Sequence, residues 1–66
     1  MTVGEAIKKA RKSRSYSRWK LSMLSGVSDV TIRVWESGRA KPTIDLLIKV
    51  ADVLDIGLDE LVGRER

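Results

Sequence analysis

The residue types that could do chemistry in this chain are concentrated on one side of the segment from Asp29 to Ser37. If this segment is a helix, Val30, Arg33 and Ser37 share a face, flanked by Asp29 and Val34, because successive side chains are about 100° apart. An arginine can donate to O6 and N7 of guanine, a carboxylate can accept from N4 of cytosine, and a valine can contact the methyl group of thymine. The face therefore predicts reading of base pairs in the major groove of DNA.

Each of these residues also has a simpler interpretation when it is taken alone. Asp29 would complement the helix dipole in the first turn, and Arg33 would be an ordinary solvated charge. The DNA-reading interpretation therefore depends on the elements around the segment, which must hold it at the surface with this face free.

The segment is preceded by the signals of another helix and a tight turn. Ser17 can cap a helix over residues 18–25 with its hydroxyl. Gly26 can end that helix in the left-handed conformation, which a glycine adopts without steric cost. Ser28 can then cap the next helix, and Gly38 can end it. The sequence predicts two short helices joined by a three-residue turn.

Two helices that cross this closely need a shared apolar core and a small side chain where they touch. The predicted core consists of Leu21, Val27, Ile32 and Trp35, and Ser22 is the predicted small residue at the contact. The pattern is that of a helix-turn-helix, whose second helix keeps its outer face free for a DNA groove.

Three stretches of the chain resemble the Cro and phage-repressor (Xre-like) helix-turn-helix family. They are GEAIKKARK, YSRWKLSMLSGVSDVTIRVWESGRAKP and TIDLLIKVADVLDIGLDEL, which follow the order and spacing of the family over residues 4–61. The resemblance implies an all-α fold, a compact bundle of five helices. It also implies a sequence-specific DNA-binding regulator, most often a repressor or autoregulator, that commonly acts as a homodimer on a palindromic operator.

The resemblance implies roles for individual residues as well. The base-reading positions of the family fall on Asp29, Val30, Arg33 and Val34, in agreement with the helical face described above. The polar residue that opens the first helix of the motif, usually a glutamine, falls on Arg18, which can still hold a phosphate. The expected contacts with the DNA backbone are Ser17, Arg18, Ser28, Ser37, Arg39 and Lys41.

An ion pair between the first helix and the recognition helix is a further implication of the resemblance. It falls on Arg11 and Glu36. The alternative is a pair of unrelated surface charges, which is the ordinary situation for such residues. We favour the pair because Glu36 borders the buried stripe of its helix, where an unpaired carboxylate would be costly.

Apolar residues stand at several positions that are usually polar in the family. Trp19, Met23 and Leu24 do so in the first helix of the motif. Trp19 can lie along the DNA backbone, Met23 and Leu24 can face a partner protein or a second subunit, or all three can fold inward in a shifted helix. These residues support the alternative function, a protein-interaction module of the same fold, such as an antitoxin or adaptor.

Two further departures concern the fourth helix and the turns. Leu46 and Val53 are apolar at normally polar positions, and they could extend a dimer surface. Ser15 and Asp55 stand where the family prefers glycine after helices one and four. Each must adopt a left-handed backbone or change the turn.

The remaining apolar residues predict the scaffold. Helix one covers roughly residues 3–14, helix four begins at Pro42 and a capping Thr43, and a short last helix begins near Gly57. The tail 63–66 is expected to fray. The expected buried residues are Val3, Ile7, Ala10 and Arg11 in helix one, Ile44, Leu47, Ile48, Ala51 and Leu54 in helix four, and Ile56, Leu58 and Leu61 at the end of the bundle.

Charge is distributed unevenly along the chain, whose net charge is +4. Residues 1–20 hold seven Lys and Arg against one Glu, whereas residues 43–66 hold three against six Asp and Glu. We expect a basic front that meets phosphates and an acidic back in solvent. The residues of this basic front are Lys8, Lys9, Lys12, Arg14, Arg18, Lys20, Arg33, Arg39 and Lys41. We expect about half of them to be merely solvated charges.

Composition excludes several classes of function. The 66 residues are enough for one domain and leave no room for a catalytic cleft, and the absence of Cys and His removes thiolate and imidazole chemistry. We expect no enzyme, cofactor or metal site. No stretch is apolar enough to cross a bilayer, no signal peptide opens the chain, and helix one lacks the apolar face of a membrane-surface helix. A cytoplasmic regulator of bacterial or phage type is the resulting expectation.

Overall fold

The computed structural model describes residues 2–62, and these residues form helices joined by short turns. The helices are α1 (Val3–Ser13), α2 (Arg18–Ser25), α3 (Asp29–Ser37), α4 (Ile44–Leu54) and α5 (Leu58–Val62). The predicted all-α architecture of five helices is confirmed over this range. The tail 63–66, which was expected to fray, lies outside the described residues.

A capping box opens α1. The hydroxyl of Thr2 accepts a hydrogen bond of 3.1 Å from the backbone N–H of Glu5, and the Glu5 carboxylate accepts one of 2.8 Å from the backbone N–H of Thr2. Two free backbone donors at the helix start are thereby satisfied. The bond from the Thr2 backbone holds the pKa of Glu5 below its ordinary value of 4.5.

The capping box predicts a pH-dependent contribution of Glu5 to stability. A pKa lowered in the folded state stabilises the fold at pH values above the unfolded pKa, and this contribution disappears as the pH falls through the lowered value. We expect Glu5→Gln to lower the thermal midpoint at pH 7 and to have little effect at a pH below the lowered pKa, where the carboxylate is protonated. Asp52→Asn, which alters an exposed carboxylate of α4, is the control. Equal effects of Glu5→Gln at both pH values would contradict the prediction.

The core contains the residues that the helix-turn-helix pattern predicts. Leu21, Val27, Ile32 and Trp35 are all buried, so this part of the prediction is confirmed. The other helices complete the same cluster. Its remaining buried apolar members are Val3, Ala6, Ile7, Leu47, Val50, Ala51, Leu54 and Leu61.

Ser22 was predicted as the small residue where the two motif helices touch, but it is only half-buried. Two other small residues, Gly4 and Ser25, lie at close contacts. At Gly4, α1 approaches α3 so closely that a Cβ would overlap the backbone carbonyl oxygen of Trp35. Ser25 is buried before the turn, where its hydroxyl donates to the Leu21 carbonyl at 2.7 Å and accepts from the Val27 N–H at 3.2 Å. The closest helix contact is therefore between α1 and α3.

Helix α4 is rotated relative to the prediction. Ile44 and Ile48, which were expected in its buried face, are exposed, whereas Val50 is fully buried. Leu46 and Val53 pack against the core but are only partly buried, so their role in a dimer surface stays a prediction. The physical reason is that apolar residues occur nearly all round α4, and the apolar pattern alone allows two rotations.

The helix ends agree with the sequence in part. The Ser17 hydroxyl accepts from the Lys20 N–H at 3.0 Å, as expected of a cap. Ser28 and Thr43 occupy the N-cap positions of α3 and α4, but neither side chain makes a capping hydrogen bond. The predicted hydroxyl caps are therefore wrong.

Both turns that lack the family's glycine adopt the left-handed conformation. The φ angle is 60° at Ser15 and 55° at Asp55. Arg14 supports the second turn, since its Nε donates to the Leu54 carbonyl at 2.9 Å and its Nη2 lies 3.5 Å from the Asp55 carboxylate. Arg14 was placed in the phosphate-facing front, but its guanidinium instead caps the C-terminal end of α4, where a cation is favourable.

Candidate nucleic-acid interface

Helix α3 is anchored along one side and free along the other. Gly26 turns the chain with a φ of 76°, and Val27 then inserts into the core immediately before α3 begins. Ile32 and Trp35 belong to the buried core and anchor the inner side of α3, which packs against α1 and α2. Since these two residues are three apart, they lie on one stripe and leave the opposite face to solvent.

The free face of α3 carries the residues that the sequence predicted as base readers. Val30 is 61% exposed, and the Arg33 side chain is 60% exposed. Asp29 and Val34 are half-buried at the edges of this face. A single exposed valine is ordinary at a protein surface, so the argument for this face depends on its combination with Arg33 and not on Val30 alone.

The C-terminal half of the face and the loop that follows α3 line a shallow concavity. Arg33, Val34, Ser37 and Arg39 surround a volume of about 230 Å³. Two of them carry guanidinium groups and one an apolar side chain. The concavity therefore offers donors and a methyl surface side by side, a combination suited to the edges of base pairs and the adjoining phosphates.

An ion pair lies across the first turn of α3. Nη2 of Arg33 is 3.6 Å from Oδ2 of Asp29, four residues earlier in the helix. Both side chains remain accessible. Such an exposed pair contributes only about 0.3–0.5 kcal/mol to stability, so it leaves Arg33 able to engage another partner.

The N-terminus of α2 presents further donors beside α3. The Ser17 hydroxyl accepts its capping bond as described above, which leaves its own proton available to a phosphate oxygen. Nη1 of Arg18 lies 3.6 Å from Oε1 of Glu36, and the Arg18 side chain is still half-exposed. Arg18, which was expected to hold a phosphate, therefore also contacts α3 through Glu36.

Glu36 is the centre of a buried ion-pair network between α1, α2 and α3. Nε of Arg11 donates to Oε2 of Glu36 at 2.8 Å, and Nη2 donates to Oε1 at 3.1 Å. Nη1 of Arg11 donates to the Tyr16 carbonyl at 2.7 Å. Only 3% of the Glu36 side chain is exposed. The expected pair of Arg11 and Glu36 is thus present in bidentate form, which orients α1 against α3.

The remaining residues expected at the DNA backbone lie on both sides of α3. Ser28, with no capping bond to make, and the loop residues Arg39 and Lys41 are exposed. The Ser37 hydroxyl donates to the Val34 carbonyl at 2.7 Å, so donation to a phosphate would require this bond to break. Ser37 is the least suited of the set.

The comparisons with known proteins agree with this geometry. A family model described as Helix-turn-helix matches residues 7–61, which is most of the chain. The chain belongs to this helix-turn-helix family. The match includes α2, the turn at Gly26 and all of α3.

Several curated relatives of this helix-turn-helix chain are named as regulators. The cryptic phage CTXphi transcriptional repressor RstR of Vibrio cholerae is 34% identical over 64 residues, which cover 97% of this chain and 57% of the relative. The HTH-type transcriptional regulator AnsR of Bacillus subtilis is 36% identical over 56 residues, which cover 85% of this chain and 48% of the relative. The chain thus spans about half the length of these relatives. No solved structure matches it significantly.

One exposed apolar patch of the helix-turn-helix lies outside the free face of α3. Trp19, Met23 and Leu24 of α2 are 64%, 62% and 50% exposed. The alternative in which all three fold inward is therefore wrong. Helix α2 keeps the predicted register, with Leu21 and Ser25 on its buried side, so these three residues point away from the core.

Other kinds of site are not found in the part of the chain that the structure describes. No group of three or more Asp and Glu side chains among residues 2–62 could hold a metal ion. None of the described helices is long and apolar enough to cross a membrane.

Sequence reasoning missed the contact of Arg18 with Glu36. No local pattern signals this contact, because it depends on how α2 packs against α3.

Proposed function

We propose that this protein is a sequence-specific regulator of transcription that inserts α3 in the major groove of double-stranded DNA, acting as a repressor or autoregulator. The observation that carries the proposal is the free face of α3, with Arg33 and Val30 exposed while Ile32 and Trp35 anchor the other side. The names of the relatives, a transcriptional repressor and a transcriptional regulator, support the same function.

The proposed mechanism divides the residues into two groups. Arg33 pairs with a guanine, and Val30 and Val34 contact thymine methyl groups. Asp29 accepts a hydrogen bond from a cytosine or keeps its ion pair with Arg33. The second group consists of side chains that contact the DNA backbone; it fixes the register of α3 through phosphates and carries no sequence information. It consists of Ser17, Arg18, Ser28, Ser37, Arg39 and Lys41.

We also propose that the protein binds a palindromic operator as a homodimer, in the cytoplasm and without catalysis. Two-fold symmetry would place two copies of α3 on half-sites separated by about 34 Å, one turn of the duplex. The whole chain is proposed to act as a single domain. Its basic N-terminal half would approach the phosphates, because electrostatic attraction supplies most of the non-specific affinity for DNA.

Selection of bound sequences from random duplex DNA tests this function. We expect enrichment of one motif with two inverted halves that contain a G·C pair. A single half-site would contradict the homodimer but support the regulator. No enrichment, together with retention of a protein partner, would favour the alternative module that binds through Trp19, Met23 and Leu24; the named relatives favour the regulator.

Replacing Arg33 is the most direct test of base reading. We expect Arg33→Ala to cost about 1–3 kcal/mol on the selected operator and to relax preference at one base pair. Arg18→Ala is the matched control, since it removes the same charged group from a position expected to hold a phosphate. It should weaken binding to all sequences alike and flatten the salt dependence. Equal losses on operator and random DNA for Arg33→Ala would contradict its role.

A further inference from the structure

A carboxylate on a surface that meets DNA requires an explanation. Helix α3 contains two acidic residues, and Glu36 is buried with its oxygens held by Arg11 and Arg18. Asp29 is therefore the acidic side chain of α3 that DNA would meet. At any phosphate it would be repelled, so it lowers affinity for DNA in general.

Stability explains this carboxylate only in part. Asp29 lies in the first turn of α3, where a negative charge is favourable, but the gain at an exposed position is small. Its pair with Arg33 is accessible to water at both ends and contributes equally little. The first turn of α4 also carries an acid, the exposed Asp45, but the residue four positions later is Lys49, which lacks the guanidinium that Arg33 offers to a guanine.

The geometry of the pair suggests a role in recognition. The guanidinium of Arg33 is 3.6 Å from the Asp29 carboxylate, at the edge of the free face. A free arginine on a flexible side chain could reach a phosphate as readily as a base. A carboxylate four residues earlier, about 6 Å along the helix axis, restrains the guanidinium over the face and lowers its entropy loss on binding guanine.

We propose that Asp29 is a specificity-determining residue that positions Arg33 for a guanine and weakens binding to non-cognate DNA. The proposal rests on the proposed function and deepens it. On the operator, Arg33 donates to guanine while its remaining N–H groups keep the contact with Asp29, which a guanidinium with five donors permits. On other DNA the carboxylate faces phosphates or base acceptors without a donor, which is unfavourable.

The test compares affinities for the selected operator and for random duplex DNA of the same length, at one salt concentration. We expect Asp29→Asn to bind random DNA about fivefold more tightly, since one repulsive charge is lost. We expect its preference for the operator over random DNA to fall about tenfold or more, with relaxed preference at the same base pair that Arg33→Ala relaxes. The double variant should relax that base pair no further than Arg33→Ala alone.

Asp45→Asn is the matched control, because it removes the same charge from the first turn of another helix. It should leave the base preference unchanged, and thermal unfolding of both variants should show that each is folded. The proposal is overturned if Asp29→Asn strengthens binding to both DNAs equally, or changes preference at a different base pair. Wild-type protein without any preference for an operator would overturn the proposed function and this inference together, whereas a preference that Asp29→Asn preserves would overturn the inference alone.

Discussion

Gly4→Ala is expected to destabilise the protein severely, although alanine is the better helix former. In an open helix the substitution would gain up to about 1 kcal/mol. Here the new methyl group would overlap the carbonyl oxygen of Trp35, and the atoms in its way belong to the backbone of α3. A backbone segment cannot yield by changing a rotamer, so α1 and α3 must separate.

Separation of α1 from α3 would affect more than one contact. It would disturb the core around Ile7 and the bidentate pair of Arg11 with Glu36. Overpacking typically costs about 1–3 kcal/mol and occasionally more, and the loss of these contacts adds to it. A chain of this length has a free energy of unfolding of roughly 3–10 kcal/mol. We expect Gly4→Ala to lose about 3 kcal/mol or more.

Chemical denaturation in urea would measure this loss, and Gly57→Ala is the matched control. At Gly57 the added Cβ would meet the carboxylate end of the Asp59 side chain, which can rotate away. We expect a change within about 0.5 kcal/mol, since surface substitutions usually lie in that range. Similar losses for the two variants would show that the close approach of α1 to α3 is not what requires a glycine.

The need for glycine at position 4 illustrates what the sequence could not reveal. Glycine at Gly26 and Gly38 was predictable, because both follow an amphipathic segment and end a helix. Gly4 lies inside α1, and its partner Trp35 is 31 positions away. Local patterns carry no information on which two helices approach most closely, so this contact required the tertiary structure.

The two motif helices were predictable because their signals reinforce one another. Ser17, Gly26 and Gly38 mark the ends of α2 and α3, and the apolar spacing of Ile32 and Trp35 fits only one rotation of α3. Helix α4 lacks this agreement. Apolar residues surround it, and its rotation was predictable only from its polar residues Asp45, Lys49 and Asp52, which share the solvent face.

The candidate site, too, could be predicted from the sequence only in part. Which residues share the free face of α3 followed from helical periodicity, whereas the partners of its charged groups did not. Arg14 serves α4 and Arg18 contacts Glu36, and both contacts join residues that are far apart in the sequence. Long arginine side chains can reach several partners from one backbone position, so their contacts depend on packing that periodicity cannot describe.

Glu36→Ala is the second substitution expected to have a large effect. The Glu36 carboxylate accepts two hydrogen bonds from Arg11 and lies near Arg18. Its removal would leave the buried guanidinium of Arg11 without a carboxylate partner, while the Tyr16 carbonyl still accepts its one hydrogen bond from Nη1. Removing one partner of a buried pair typically costs about 3–5 kcal/mol. A large part of the free energy of unfolding would be lost.

Asp29→Ala is the matched control for this prediction, because it also removes an acidic partner of an arginine in α3. Its pair is exposed, so we expect a loss below about 1 kcal/mol. Urea denaturation of both variants at neutral pH would measure the difference. Comparable losses would show that burial of the Glu36 network has no special energetic role.

A double substitution separates the cost of an unpaired charge from the value of the pair itself. Arg11→Met combined with Glu36→Leu replaces both charges by apolar side chains of similar length, so that no buried charge remains. We expect it to recover much of the stability lost in Glu36→Ala, since well-packed apolar replacements of buried pairs are often neutral or stabilising. A variant that recovers stability but binds operator DNA less well would indicate that Glu36 also orients Arg18 towards the DNA. A double variant as unstable as Glu36→Ala would instead show that the pair, and not the avoidance of an isolated charge, stabilises the contact between α1 and α3.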